Sequence, residues 1–319
     1  MSAIILGSDR VLAPGRWLWL RSVAWAVGLF LLVTAAGSLA AAAVGLIGSA
    51  ATGIPLAVAL TPATHVGQIA FVMMAPASLA AYAGLVRVGE ARRVSELAPA
   101  PAPIELAAGL AIGAAMMAVT VGLLLAAGSV TLTTQPVRSP GNAIALSVES
   151  GFVEEVLFRL IVLRLLWRAF GPWPALALSA FLFGAVHLMN PNATGFAAFA
   201  IAIEAGIMLA AFYILTGRLW VSIGVHAAWN FTQGWVFGAA VSGTNGFAGG
   251  PLALDPVPGA PQWLSGGAFG PEASFAGLLV GTLVGAGVLV LAARRGAFAP
   301  EAGVLHEDTK EGTAAAPGA

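Results

Sequence analysis

Apolar residues run along this chain in blocks too long and too uniform for the surface of a soluble protein. Eight stretches, at about 17–46, 66–86, 104–130, 142–166, 174–190, 194–216, 219–240 and 273–293, consist mainly of Leu, Val, Ala, Gly and Phe. A helix crosses a bilayer core with about 20 such residues, within a range of roughly 17 to 25. The pattern therefore predicts an all-α fold, a polytopic transmembrane helical bundle of about eight spans. The first block is long enough to tilt or to break near Gly45. Its AAGSLAAAA stretch has the small residues of a signal-peptidase site, but the apolar run is too long for a signal h-region, so it reads as a retained span.

The segments between these blocks carry the basic residues, and their placement tests the count. Arg10, Arg16 and Arg21 precede or open the first block, Arg87, Arg92 and Arg93 follow the second, Arg164 and Arg168 close the fourth, Arg218 separates the sixth from the seventh, and Arg294 and Arg295 follow the eighth. With eight alternating spans all of them fall on one side and leave Arg138 alone on the other. The positive-inside rule then puts both termini in the cytoplasm of a cell-membrane protein. ELAPAPAPIE, 96–105, reads as a Pro/Ala linker, residues 241–272 as a long Gly- and Pro-rich outer loop, and residues 298–319 as a disordered tail. Gly281 and Gly285 form a small-xxx-small pair suited to helix packing.

Composition narrows the chemistry. Of 319 residues, 59% are hydrophobic and only 9% charged, which makes lipid the principal solvent. The absence of cysteine removes disulfides, thiolate nucleophiles and Cys-held metals, and a net charge of +0 leaves no basic face for nucleic acid.

The exceptions to the apolar pattern are then the informative residues, because an ionisable side chain near the bilayer centre costs roughly 2.5–3.5 kcal/mol on insertion scales. VEEVLFR, 153–159, places Glu154, Glu155 and Arg159 inside the fourth block. Glu155 and Arg159 are four apart on one helix face and can neutralise one another, which makes them site-organising residues or simply a packing lock. Glu154 points about 100° away and is left free. His187 ends the fifth block, and His226 and Asn230 in HAAWN share one helix face in the seventh. Glu204 has no charged partner at helical spacing in its own block, so it reads as a residue of an internal cavity. His65, at a span edge, reads as interfacial.

Together these groups suit acid/base chemistry on water. A desolvated carboxylate is a competent base, an imidazole can orient the water's proton, and a His/Asn pair can offer donors to an oxyanion. No Ser or Cys nucleophile is needed, and no cofactor. The competing chemistry is zinc hydrolysis through Glu154, His187 and His226, although they lie on three different helices and no H-E-x-x-H is present.

At these residues the chain resembles the intramembrane protease family that includes the type II CAAX prenyl endopeptidases and bacteriocin-processing or immunity relatives, also named CPBP or ABI. The family's E-E-x-x-x-R motif matches Glu154, Glu155 and Arg159; F-x-x-x-H matches Phe183 and His187; H-x-x-x-N matches His226 and Asn230. Each motif is short, but three in order inside membrane spans are specific. One departure is Leu160, where relatives often carry Gly. The resemblance covers about 142–240 and implies a CAAX protease-like catalytic core there, between N-terminal transmembrane helices over 1–141 and an outer loop with a last helix over 241–297. It implies that Glu154 and His187 activate water, that His226 and Asn230 stabilise the oxyanion, and that Glu155 and Arg159 organise the site. The expected function is an intramembrane endopeptidase acting on a membrane peptide or protein in the lipid bilayer, lipid-modified substrates included. A noncatalytic immunity or scaffold protein and a proton-coupled transporter are the alternatives. In simple helical register His187 lies farther from the arginine-bearing side than His226, so the two sites meet only if their spans are offset.

Overall fold

A few caps and turns punctuate the long apolar runs. The computed structural model describes residues 4–7 and 10–298; the expected tail beyond Phe298 lies outside the described residues. Helix α1 (Leu18–Thr52) stops at Gly53, whose φ of 72° admits the left-handed turn that ends the helix. Helix α2 (His65–Gly89) starts under Thr64, whose hydroxyl accepts the Gly67 N–H. Helix α3 (Ala102–Ala126) follows, and a continuous helical run over 141–170, α4, carries buried Glu155, Arg159 and Arg164. Gly171 (φ 84°) followed by Pro172 breaks the chain into α5 (Pro172–Val186), because proline fits the first helical turn but cannot continue one. Helix α6 (Gly195–Thr216) is capped by Thr194 and ends at Gly217; α7 is the run over 220–236; α8 (Phe275–Arg294) is capped by Ser274.

Six of these helices, α1, α2, α3, α5 (extended to Met189), α6 and α8, are long and apolar enough to cross a membrane. With α4 and α7 they make an all-α polytopic bundle in which α1 packs on α2, α3 on α7, and α8 on α6. The contact of α3 with α7 requires glycine. A methyl group at Gly109 or Gly113 would overlap the α7 backbone at Val221 or Val225, so side chains there are excluded and the helices approach closely. Gly281 and Gly285 likewise let α8 approach Glu204 and Met208 of α6.

Side-chain contacts gather the arginine-bearing segments at one end of the bundle. Arg10 donates to the Val88 carbonyl, Arg168 to the Leu12 carbonyl, and Trp167 and Trp173 stack on Phe298 just beyond α8. Arg138 belongs elsewhere, its backbone N–H bonded to Gly249 in the 241–272 segment. At the arginine-rich end Glu90 bonds Arg164, Arg92 and the Trp25 indole, while Arg92 also holds Glu96, which accepts from Tyr82. Burial opposes ionisation of Glu90, but the Arg164 and Arg92 guanidiniums outweigh it and hold its carboxyl at about 2.

Four expectations need correction. The first helix is unbroken at Gly45, where the missing side chain instead makes room for Leu60. The third span ends at Ala126, and residues 130–134 form a strand, β1, paired antiparallel with β2 (Leu252–Pro256), Leu132 opposite Leu254. The segment 241–272 is accordingly a folded strap and not an open loop, because backbone pairing and buried Phe247 and Phe269 tie it down. The seventh run is helical only to 236.

Candidate active site

Backbone hydrogen bonding widens to the π pattern where the polar residues sit. It does so over Ser150–Glu154 and Val156–Leu163 in α4, Ala202–Ile207 in α6 and Thr232–Val236 in α7. A π turn inserts an extra residue per turn, shifts the faces that follow, and recurs at functional sites. Its wider ring also needs tight partners. Gly151 lies against Ala227 and Gly206 against Ala180, and a side chain at either would press on that neighbour at 2.9 Å.

Glu155 and Arg159 form the centre of the site and are fully buried. Arg159 Nε donates to Glu155 Oε2 at 2.9 Å, and its other nitrogens reach the Gly206 and Ala205 carbonyls at 3.2 Å each, both in the π segment of α6. The guanidinium also lies 4.9 Å from the centre of the Phe183 ring. The opposite oxygen of Glu155, Oε1, stands 3.0 Å from His226 Nδ1. With Nδ1 protonated, that imidazole donates to Glu155 and turns Nε2 outward. Glu154 Oε2 faces Nε2 at 4.0 Å, and 32% of its side chain is exposed. The two adjacent glutamates therefore address opposite nitrogens of one histidine.

His187 closes α5, and its Nδ1 donates to the Phe183 carbonyl at 2.7 Å. Both histidine rings lie near Phe183, at 4.8 Å for His187 and 6.3 Å for His226 between ring centres. Asn230, one turn beyond His226, donates to the Ser150 hydroxyl at 3.0 Å. A small pocket, part of it open to the outside, is lined by His187, His226, Asn230, Phe183 and Glu204 together with Ile201, Met208, Leu209 and Trp229. The offset between His187 and His226 in simple register is thus absorbed, since both reach one cavity.

The structure brings together Glu155, Arg159, Phe183, His187, Glu204, His226 and Asn230, with Glu154 beside them on the His226 edge. The direct neighbour of Glu154 is His226, where the family resemblance pairs it with His187. Among the described residues no three His, Asp or Glu side chains converge as metal ligands.

Four polar residues of the site escaped the sequence reading. Ser150 meets Asn230, and Glu149 lies within electrostatic reach of Glu154 and His226. Their signal was available, since they stand four and five positions before Glu154 in the same run. Ser242 and Glu272 line the cavity from the strap, and nothing in a Gly/Pro-rich loop announces that return. The Ser242 backbone N–H donates to Glu272. Burial nonetheless pushes the Glu272 carboxyl above the usual range, with that hydrogen bond acting in the opposite direction.

Comparison with curated proteins and with solved structures returned no match. One family model does match, over residues 136–232, the stretch that contains α4 to α6, most of α7 and most of the cavity wall. Its description is type II CAAX prenyl endopeptidase Rce1-like, so the part of this multi-pass membrane protein that holds Glu155, Arg159, His187 and His226 is similar to that membrane-protease family.

Proposed function

We propose that the protein is an intramembrane endopeptidase that hydrolyses a peptide bond of a membrane-associated substrate, lipid-modified ones included, by carboxylate-activated water. It sits in the cell membrane with both termini cytoplasmic, as the arginine placement favours. The observation that carries the proposal is the 4.0 Å gap between Glu154 Oε2 and His226 Nε2, beside a cavity that His187 and Asn230 also line.

In this reading the buried Glu155–Arg159 pair fixes His226 by its Nδ1, and the imidazolium, protonated on both nitrogens, presents Nε2–H as a donor. Glu154 takes a proton from water as the water oxygen attacks the scissile carbonyl carbon. His226 Nε2–H and the Asn230 amide stabilise the resulting oxyanion; each such donor contributes about 10²–10³ in rate in well-studied hydrolases. The C–N bond then breaks, and Glu154 returns the proton to the leaving nitrogen. His187, with Nδ1 committed to Phe183, offers Nε2 as a second anchor for the water. No step is routed through a metal. The resemblance supports proteolytic chemistry ahead of any CAAX specificity, which requires a prenylated substrate.

Purified protein in detergent is to be incubated with fluorogenic membrane peptides, beside Glu154→Gln. Cleavage by the wild type with a loss of about 10²-fold or more in the variant is expected. Equal cleavage by both excludes Glu154 as the base. The buried carboxylates also suit proton relay, so a transporter remains the second reading. It predicts flux driven by a pH gradient in liposomes and no hydrolysis.

A further inference from the structure

The proposed hydrolysis leaves two buried acids unused. Glu204, in the π segment of α6, is 1% exposed, lines the cavity, and has an Oε2 atom that is buried without a hydrogen-bond partner. Glu272, just before α8, is 2% exposed and lines the same cavity. Its carboxylate accepts from the Ser242 backbone N–H, and it interacts electrostatically with His187 and with Glu204.

Charge around the cavity is unbalanced. Glu149, Glu154, Glu155, Glu204 and Glu272 gather in or beside it, whereas the lining contains no Arg or Lys. Arg159 is already committed to Glu155 and to two backbone carbonyls. Buried carboxylates stay charged at low cost when a cation joins them and otherwise are costly or take up a proton. Apart from His187, His226, Asn230 and Ser242 the remaining wall is apolar and includes Ile201, Met208, Leu209 and Trp229. A wall of apolar side chains ending at acids is complementary to one kind of group, a cationic head on an aliphatic stem. Two carboxylates fall short of a protein-built divalent-cation site, and among the described residues no third acid or histidine completes one.

We propose that Glu204 and Glu272 form a subsite for a basic side chain of the substrate, a lysine or arginine close to the scissile bond, with its stem against Met208 and Leu209. This rests on the proteolytic reading, and it names a substrate class for it: membrane peptides interrupted by a buried basic residue. The subsite fixes which bond reaches Glu154, because anchoring one side chain sets the register of the peptide across the cavity.

The test uses the full chain in detergent micelles and apolar peptides of one sequence, with a single Lys moved through every position. Each peptide has a counterpart with norleucine, which keeps the stem and removes the charge. Binding and cleavage are both measured, for the wild type, Glu204→Gln and Glu272→Gln. Tighter binding of one Lys register by about tenfold or more is expected. The Lys-to-norleucine ratio should fall toward one in either Gln variant. Because the readout is a ratio within one protein, a general loss of active protein does not imitate it, and the second variant stands if the first fails to fold. Equal binding of Lys and norleucine peptides by the wild type, or a ratio unchanged in both variants, overturns the subsite. Cleavage without any Lys preference overturns the subsite and leaves the protease standing. Lys-dependent binding without cleavage of any peptide supports the subsite and counts against the protease.

Discussion

Replacing Arg159 by Met tests whether the buried ion pair holds the site together. The substitution keeps an unbranched side chain of similar length and removes the charge that faces Glu155, both groups being fully buried. Breaking a buried pair by removing one partner typically costs about 3–5 kcal/mol, because the other charge is left uncompensated. Here the cost of that step belongs at the lower end, about 3 kcal/mol, since Glu155 keeps His226 Nδ1 at 3.0 Å and the imidazole can remain protonated to answer it. The Gly206 and Ala205 carbonyls also lose their guanidinium donor, which adds about 1 kcal/mol. A total loss near 4 kcal/mol is expected in reversible unfolding by SDS titration, followed through tryptophan fluorescence. The double variant Glu155→Gln/Arg159→Met should lose less than Arg159→Met alone, because no orphaned charge remains. A single-variant loss below about 1 kcal/mol, the scale of an exposed pair, refutes the reasoning. So does a double variant that loses the sum of the two single effects.

Other consequences follow from the same geometry. Asn230→Leu should lower kcat about 10²-fold with a smaller change in KM, if the amide donates mainly to the oxyanion; steady-state kinetics separate the two. Gly113→Val presses a side chain into the Val225 backbone next to His226, and a loss of about 1–3 kcal/mol with reduced cleavage is expected, read by the same titration and peptide assay. The Glu90 carboxyl is held at about 2 against an ordinary value of 4.5. Its contribution of about 3 kcal/mol is therefore fully present above pH 4.5 and lost as pH falls toward 2; unfolding measured across that window should show the loss in the wild type and a smaller one in Glu90→Gln.

The hydrophobic pattern by itself determined most of the fold. Long apolar runs in lipid have one economical outcome, because backbone polar groups must be satisfied within the segment, and each of the eight blocks corresponds to a helical run. The Glu155–Arg159 pair was equally legible, since spacing of four places both on one face and π widening did not undo the contact. Spacing also left Glu154 free of Arg159, but it did not disclose that Glu154 meets the far nitrogen of the histidine that Glu155 holds. That meeting depends on how α7 is rotated against α4, which the Gly151 approach to Ala227 governs. Other features were decided only in three dimensions. Glu90 and Arg164 lie 74 positions apart, so no local periodicity pairs them. Glu272 sits in a Gly/Pro-rich strap whose return to the cavity depends on strand pairing between 130–134 and 252–256. Local sequence fixes which segments prefer lipid and which neighbours share a helix face. Contacts between distant segments depend on close packing at glycines and on hydrogen bonds between strands, and those exist only once the bundle has assembled.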